Sequence, residues 1–192
     1  MEVIPAAETA TFAEQSWGRD REETMRQNEK TFILYDAGQL DVTGLPGGGE
    51  VQAFYTGGKY APCKGCFDCW LKTPGTCILR DRVYALADHL ADCTTFVIVS
   101  GLRYGGFSAS VKGVVDRLIA FNLPYFRKIR GELHHIPRYE NQFRLRVYFY
   151  GDATEREKET ARAYVSRIAL NFNNEDYAVC FLNDASEWRA SV

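Results

Sequence analysis

Four of the chain's six cysteines fall within sixteen residues, PCKGCFDCWLKTPGTC (62–77). Cys63, Cys66 and Cys69 are spaced CxxCxxC, and Cys77 follows after seven more residues. Three thiolates so close together match the C-x₂-C-x₂-C part of a ferredoxin-type run, and Cys77 offers a fourth ligand from a returning loop. Gly65, Pro74 and Gly75 let the backbone fold closely around an inorganic core. Zinc suits the spacing less well, because structural zinc sites usually draw on two separated ligand pairs. Disulfides are not expected where thiols stay reduced, and the third alternative is that the thiols pack without metal. Cys93 and Cys180 read as plain core residues, one after a helix and one in a strand.

Two further stretches could hold a flat cofactor. SGLRYGGFSAS (100–110) follows a strand-like run, with Gly101, Gly105 and Gly106 to admit a ring and Tyr104 or Phe107 to stack on it. YFYGD (148–152) places Tyr150, Gly151 and Asp152 at a second strand end. FRKIRGELHHIPRYENQFRLR (126–146) holds six basic residues against two acidic ones. It could meet a nicotinamide cofactor's phosphates or a partner's acidic surface, and a solvated loop is the preferred reading. His134 and His135 are adjacent, so their side chains diverge and cannot easily share one metal. No Ser-His-Asp set, HExxH motif or carboxylate pair with a supporting motif stands out.

These residues need a frame. At 192 residues the chain is expected to form one domain, or one domain with an appendage, and to bury about 70% of its unfolded surface without disulfides or metal. A formal net charge of −2 argues against a dedicated nucleic-acid binder. No apolar run reaches the roughly 18 residues of a membrane span, and the N-terminus lacks the pattern of a secretory signal, so a cytoplasmic protein is expected. Residues 1–30 carry seven acids and four bases, with a weak helical stripe of Ala10, Ala13, Trp17 and Met25, and read as a polar arm or loosely attached helix ahead of a domain at 31–192.

TFILYD (31–36), EVQAFY (50–55), TTFVIVS (94–100), LRVYFYG (145–151) and YAVCFLND (177–184) are strand-length, rich in β-branched and aromatic residues, and several are apolar at consecutive positions. Strands covered on both faces of a parallel sheet read this way. Helical patterns alternate with the later ones: 81–93 with Asp81 as cap, 108–121 with Ser110 as cap, and 154–172 opening with Thr154 and Glu157 at capping-box spacing. The alternation predicts an open, doubly wound α/β sheet.

In three segments the sequence resembles the flavodoxin-like NAD(P)H-dependent FMN reductases, and within them the iron–sulfur flavoproteins. They are the cysteine stretch; CILRDRVYALADHLADCTTFVIVSGLRYGGFSASVKGVVDRL (77–118), with its flavin-facing loop and its Lys112, Asp116 and Arg117; and YFYGDATEREKETA (148–161). The resemblance implies a flavodoxin-like five-stranded parallel sheet and an FMN-dependent oxidoreductase or electron-transfer flavoprotein. It implies FMN held by Ser100, Gly101, Leu102, Arg103, Tyr104, Gly105, Gly106, Phe107, Tyr150, Gly151 and Asp152, and a [4Fe–4S] cluster on Cys63, Cys66, Cys69 and Cys77. It further implies NAD(P)H as electron donor, a homo-oligomer (dimer or tetramer) and a redox partner protein. In many such proteins a version of the cysteine segment packs beside the dimer interface without metal, and Asp116 and Arg117 are expected to hold fold or dimer together.

Two departures from the family pattern set up an alternative. Only thirteen residues separate TFILYD from EVQAFY, so the usual first helix and the phosphate loop at its N-terminus do not fit. The glycine-rich GLPGGG (44–49) has no helix behind it, and the chain as given runs only eight residues past YAVCFLND, without the usual last helix. Loss of both helices predicts an uncovered strip of Phe32, Leu34, Val147 and Phe149, to be covered by residues 1–30 or another subunit. The alternative reading is a degenerate member without cofactor that acts as a partner subunit.

Overall fold

The computed structural model describes residues 29–38, 40–42 and 49–191. The arm at 1–28 and most of GLPGGG lie outside the described residues. Five strands form one all-parallel sheet: β1 (Lys30–Tyr35), β2 (Glu50–Tyr55), β3 (Thr95–Gly101), β6 (Arg144–Tyr150) and β7 (Tyr177–Leu182), in the order β2-β1-β3-β6-β7. Every strand lies within about a residue of the apolar run that predicts it at its start. The register sets Ile33 beside Val97 and Val97 beside Arg146, so odd-numbered residues of β1 share a face with odd-numbered residues of β3. This is the flavodoxin-like α/β architecture.

Among the described residues four α-helices accompany the sheet: the single turn α1 (Asp68–Leu71), α2 (Leu86–Asp92), α3 (Ala109–Arg117) and α4 (Glu155–Asn171). Their apolar stripes all pack on one face. Leu86 and Leu90 of α2, Val111 and Val114 of α3, and Ala161 and Val165 of α4 form one cluster with Phe32, Leu34, Phe96, Ile98, Leu145, Val147 and Phe149. The expected uncovered strip of Phe32, Leu34, Val147 and Phe149 therefore lies on the covered face. The opposite face, bearing Ile33, Val97, Val99 and Tyr148, carries Ala37 and Leu40 and, among the described residues, no α-helix. There a 3₁₀ segment, Ala185–Ser191, lays Trp188 over the sheet centre; the indole is 1% exposed and meets the Tyr148 ring edge-on.

Helix starts follow local chemistry. Thr154 caps α4 through a reciprocal box: the Glu157 amide donates to Thr154 Oγ1 at 3.3 Å, and the Thr154 amide donates to Glu157 Oε2 at 3.0 Å. A Thr154→Ala protein is expected to lose about 1 kcal/mol in urea denaturation, the usual worth of such a cap. α3 is capped by Ser108, whose Oγ accepts from the Val111 amide, and not by Ser110, whose hydroxyl bonds Thr56 Oγ1 instead. α2 begins at Leu86, five residues after Asp81, whose Oδ1 accepts from the Val83 amide at 3.1 Å in the turn ahead of the helix.

The basic stretch is a hairpin where a loop is the expectation. β4 (Asn122–Ile129) and β5 (Glu132–Pro137) pair antiparallel around Arg130 and Gly131, both at positive φ (50° and 91°) as a two-residue turn of this hand requires. Its charges are largely spent within the fold. Arg127 bonds Asn173 Oδ1, Arg130 pairs with Glu175 at 3.0 Å, and Arg138 donates to the Ala120 and Asn122 carbonyls.

Candidate functional site

In parallel sheets of this kind ligands bind outside the carboxyl ends of the strands, where the strand order reverses. Here that point lies between β1 and β3, and Asp36 stands on it. Its carboxylate accepts from the Gly101 amide at 3.1 and 3.2 Å and from the Tyr150 hydroxyl at 3.1 Å, joining the ends of β1, β3 and β6. Burial, then the Asp36 charge, pushes the Tyr150 phenol up to about 12, so at neutral pH it keeps the proton that it donates to Asp36. The spacing of residues did not point to Asp36; only the adjacency of β1 and β3 reveals it.

The loop after β3 closes on itself. Arg103 and Gly106 exchange backbone hydrogen bonds at 2.9 Å each way, leaving Tyr104 (φ 52°) and Gly105 (φ 77°) as a two-residue tip. Tyr104 is 94% exposed and free to stack, whereas Phe107 is buried against Phe149 and Tyr164 and is a core side chain. Leu102 and Ser100 are also buried; Ser100 Oγ accepts the Ser108 amide, tying the loop to the start of α3. The Leu102 amide goes to the Tyr150 carbonyl and the Gly151 amide to the Leu182 carbonyl, so several amides expected at a ring are spent on the protein. What remains is an opening edged by glycine. A Cβ at Gly151 (φ 99°) would meet nothing within 4 Å, and one at Gly101 would stand 3.6 Å from the Tyr150 ring. Asp152 is exposed beside it. Tyr104 is exposed on the loop after β3, and Tyr150 is half-buried at the end of β6. The phosphate end has no cradle among the described residues.

Cys63, Cys66, Cys69 and Cys77 line one cavity of about 340 Å³, together with Arg117 and Ile119. Cys63 and Cys66 are exposed, while Cys69 is buried on α1. Burial first, then the neighbouring Cys77, Cys63 and Cys66, push the Cys69 thiol up. Left-handed Gly65 and Phe67 bend the chain into α1, and the Gly75 amide closes the return on the Cys69 carbonyl at 3.0 Å. Among the described residues, no group of three or more Cys, His, Asp or Glu side chains is arranged to hold a metal ion. The four thiols share this cavity without forming a ligand set among the described residues. Cys93 is a core thiol, pushed up to about 12 by burial.

Behind the cysteines lies a buried ion pair. Arg117, 3% exposed, donates to both Asp81 oxygens at 2.7 and 2.6 Å and to the Ala61 and Leu79 carbonyls at 3.1 and 2.9 Å. It holds both flanks of the cysteine loop to α3, which is the fold-holding role expected of it. Asp116 pairs with Lys112 on the helix surface.

The comparisons agree with this architecture. An iron–sulfur flavoprotein of Archaeoglobus fulgidus is 32% identical over 107 residues, covering 53% of this chain and 52% of the relative. The chain thus spans about half the length of the curated relative it matches. Among solved structures, an FMN-dependent NADH-azoreductase of Bacillus anthracis in complex with FMN superposes with a TM-score of 0.53 at 14% identity, over 82% of this chain and 88% of that one. An NAD(P)H:quinone oxidoreductase of Methanothermobacter marburgensis gives 0.52 at 11% identity, over 80% and 86%. No protein-family model matches the chain. The class is thus a flavodoxin-like α/β protein, similar to the NAD(P)H-dependent FMN reductases. Its particular likeness in sequence is to an iron–sulfur flavoprotein.

Proposed function

We propose that the chain is an FMN-dependent oxidoreductase, with the flavin ring at the carboxyl edge of the sheet and NAD(P)H as electron donor. The observation that carries the reading is the convergence of the Gly101–Gly106 loop and Tyr150–Asp152 on one glycine-edged opening. The likeness to the flavoproteins above supports it. Bound there, FMN supplies the hydride and electron chemistry. The chain's own residues do the rest: Tyr104 stacks from its exposed tip, Gly101 and Gly151 leave room for the ring edge, and Asp36 orients the Tyr150 hydroxyl while fixing its proton. A homo-oligomer and a protein redox partner belong to the same reading. Its finer form assigns a [4Fe–4S] cluster to Cys63, Cys66, Cys69 and Cys77. Their shared cavity supports that form.

One observation favours a cofactor-free partner subunit instead. The Asp36 carboxylate occupies the Gly101 amide at the switch point, and a negative charge there repels a phosphate. Anaerobic purification followed by absorption from 300 to 700 nm, with iron and released flavin assayed on the same sample, separates the readings. Flavin bands, present or restored with FMN, are expected. A protein that stays colourless after incubation with FMN, and with iron and sulfide, overturns the enzyme reading.

A further inference from the structure

The four thiols that share one cavity are not equivalent. Cys69 is buried on α1, and its carbonyl accepts from the Gly75 amide. The Cys77 amide donates to the Tyr84 carbonyl at 3.0 Å, so this inner pair is fixed to the fold. Cys63 and Cys66 are both exposed, on a stretch without secondary structure. Among the described residues, positions 62–66 form no hydrogen bond.

Only the flanks of that stretch are tied down. On one side the Ala61 amide donates to Asp81 at 2.9 Å and the Ala61 carbonyl accepts from Arg117 at 3.1 Å. On the other, the Phe67 carbonyl accepts from the Trp70 and Leu71 amides at 2.9 and 3.2 Å. The residues between can therefore change shape without breaking an internal hydrogen bond. One shape is already favoured. Gly65 holds φ 62°, and a Cβ there would meet nothing within 4 Å. A positive φ at the third of four residues is what a type II turn requires, and such a turn brings its first and fourth Cα atoms within about 7 Å. That separation is within reach of a disulfide. Here the first and fourth residues are Cys63 and Cys66.

We propose that Cys63 and Cys66 are a dithiol that exchanges with small disulfides and closes to an intramolecular disulfide. One thiolate attacks a sulfur of the incoming disulfide, forming a mixed disulfide and releasing the first thiol. The second cysteine then attacks the protein sulfur of that bond, closes Cys63 onto Cys66 and displaces the second thiol. The pair gives up two electrons and two protons, and the incoming disulfide becomes two thiols. Transient exchange is the form in which disulfides occur where thiols otherwise stay reduced. Lys64, between the two cysteines on the cavity wall, has no ion-pair partner among the described residues, so a disulfide carrying carboxylates meets a free cation. The inference does not use the flavin reading. It does bear on the cluster, because Cys63 and Cys66 joined to each other offer no thiolate to a metal.

Exchange of the full chain, as purified, with oxidised glutathione tests this, read by tryptic mass mapping after free thiols are alkylated. Cleavage after Lys59, Lys64, Lys72 and Arg80 puts Cys63 on peptide 60–64, Cys66 and Cys69 on 65–72, and Cys77 on 73–80. Peptide 60–64 is expected joined to 65–72, with fragmentation placing the bond on Cys66 and with 73–80 alkylated. Titratable thiols in the denatured chain should fall from six to four, and dithiothreitol should restore them. Cys66→Ser should block closure and hold glutathione on Cys63, and Cys63→Ser should hold it on Cys66. A bond to Cys69 or Cys77, glutathione left on both exposed cysteines of the unsubstituted chain, or a thiol count that stays at six overturns the proposal. Iron bound by the purified chain that blocks the exchange overturns it too, since the cysteines are then ligands.

Discussion

Replacing Arg117 with Met is expected to destabilise the protein by about 3–5 kcal/mol, because it strands a partly buried carboxylate that had two charged hydrogen bonds. The guanidinium is fully enclosed and binds Asp81, Ala61 and Leu79, so its loss unfastens the segment before the cysteines and the one after them together. Urea denaturation gives the magnitude, and its pH dependence identifies the pair. Burial alone would raise the Asp81 pKa, but the Arg117 hydrogen bond, with the Ala61 and Val83 amides, outweighs it and holds the carboxyl below the usual 3.8. A carboxyl depressed in the folded state stabilises it above its unfolded value, and that stabilisation fades as pH falls through the folded value. The gap between wild type and Arg117→Met should therefore be constant near neutrality and narrow below about pH 4. A gap that is already under 1 kcal/mol at pH 7, or independent of pH down to 2, would show that the pair contributes no net stability.

The second large effect is expected from Trp188→Ala. Among the described residues Trp188 is the bulkiest fully buried side chain, and it packs with Ile33, Val97, Val99 and Tyr148. Truncating a buried aromatic side chain costs about 3–5 kcal/mol. It should lower the melting temperature by several degrees and make the protein bind a dye for exposed apolar surface, while far-ultraviolet circular dichroism keeps its helical signal. Trp188→Phe should recover much of the loss. A Trp188→Ala protein that melts like wild type would mean that this face is held by something else.

The strands were legible because burial on both faces makes them apolar throughout, and that same property hid which face was which. In FILY and FVIV every position is apolar, so the alternation that fixes orientation is erased. Phe32 and Leu34 could therefore be assigned to the wrong side while the strand itself was right. The α4 capping box is local chemistry over four residues and read correctly. Asp81 looked equally local, yet its main partner lies 36 residues on, brought near by the fold. The β4–β5 hairpin was obscured by its charges, although an Arg-Gly pair between alternating segments was a usable signal. At the candidate site, the loops at the ends of β3 and β6 were readable from their glycines. The Asp36 bridge was not, because it depends on β1 lying beside β3 in space.

The lopsided covering of the sheet also constrains the order in which the chain can be made. α2, α3 and α4 are complete once residue 171 has been synthesised, and they can close their own face as they emerge. The other face must wait for β7 and then for Trp188, so Ile33, Val97 and Val99 stay without that indole through nearly the whole of translation. A nascent chain in this state lacks the largest member of that cluster, and incompletely packed apolar surface is the condition in which partly folded proteins aggregate or engage chaperones. A ribosome stalled just short of Ala185 would thus hold a chain with α2, α3 and α4 in place and Trp188 still to come.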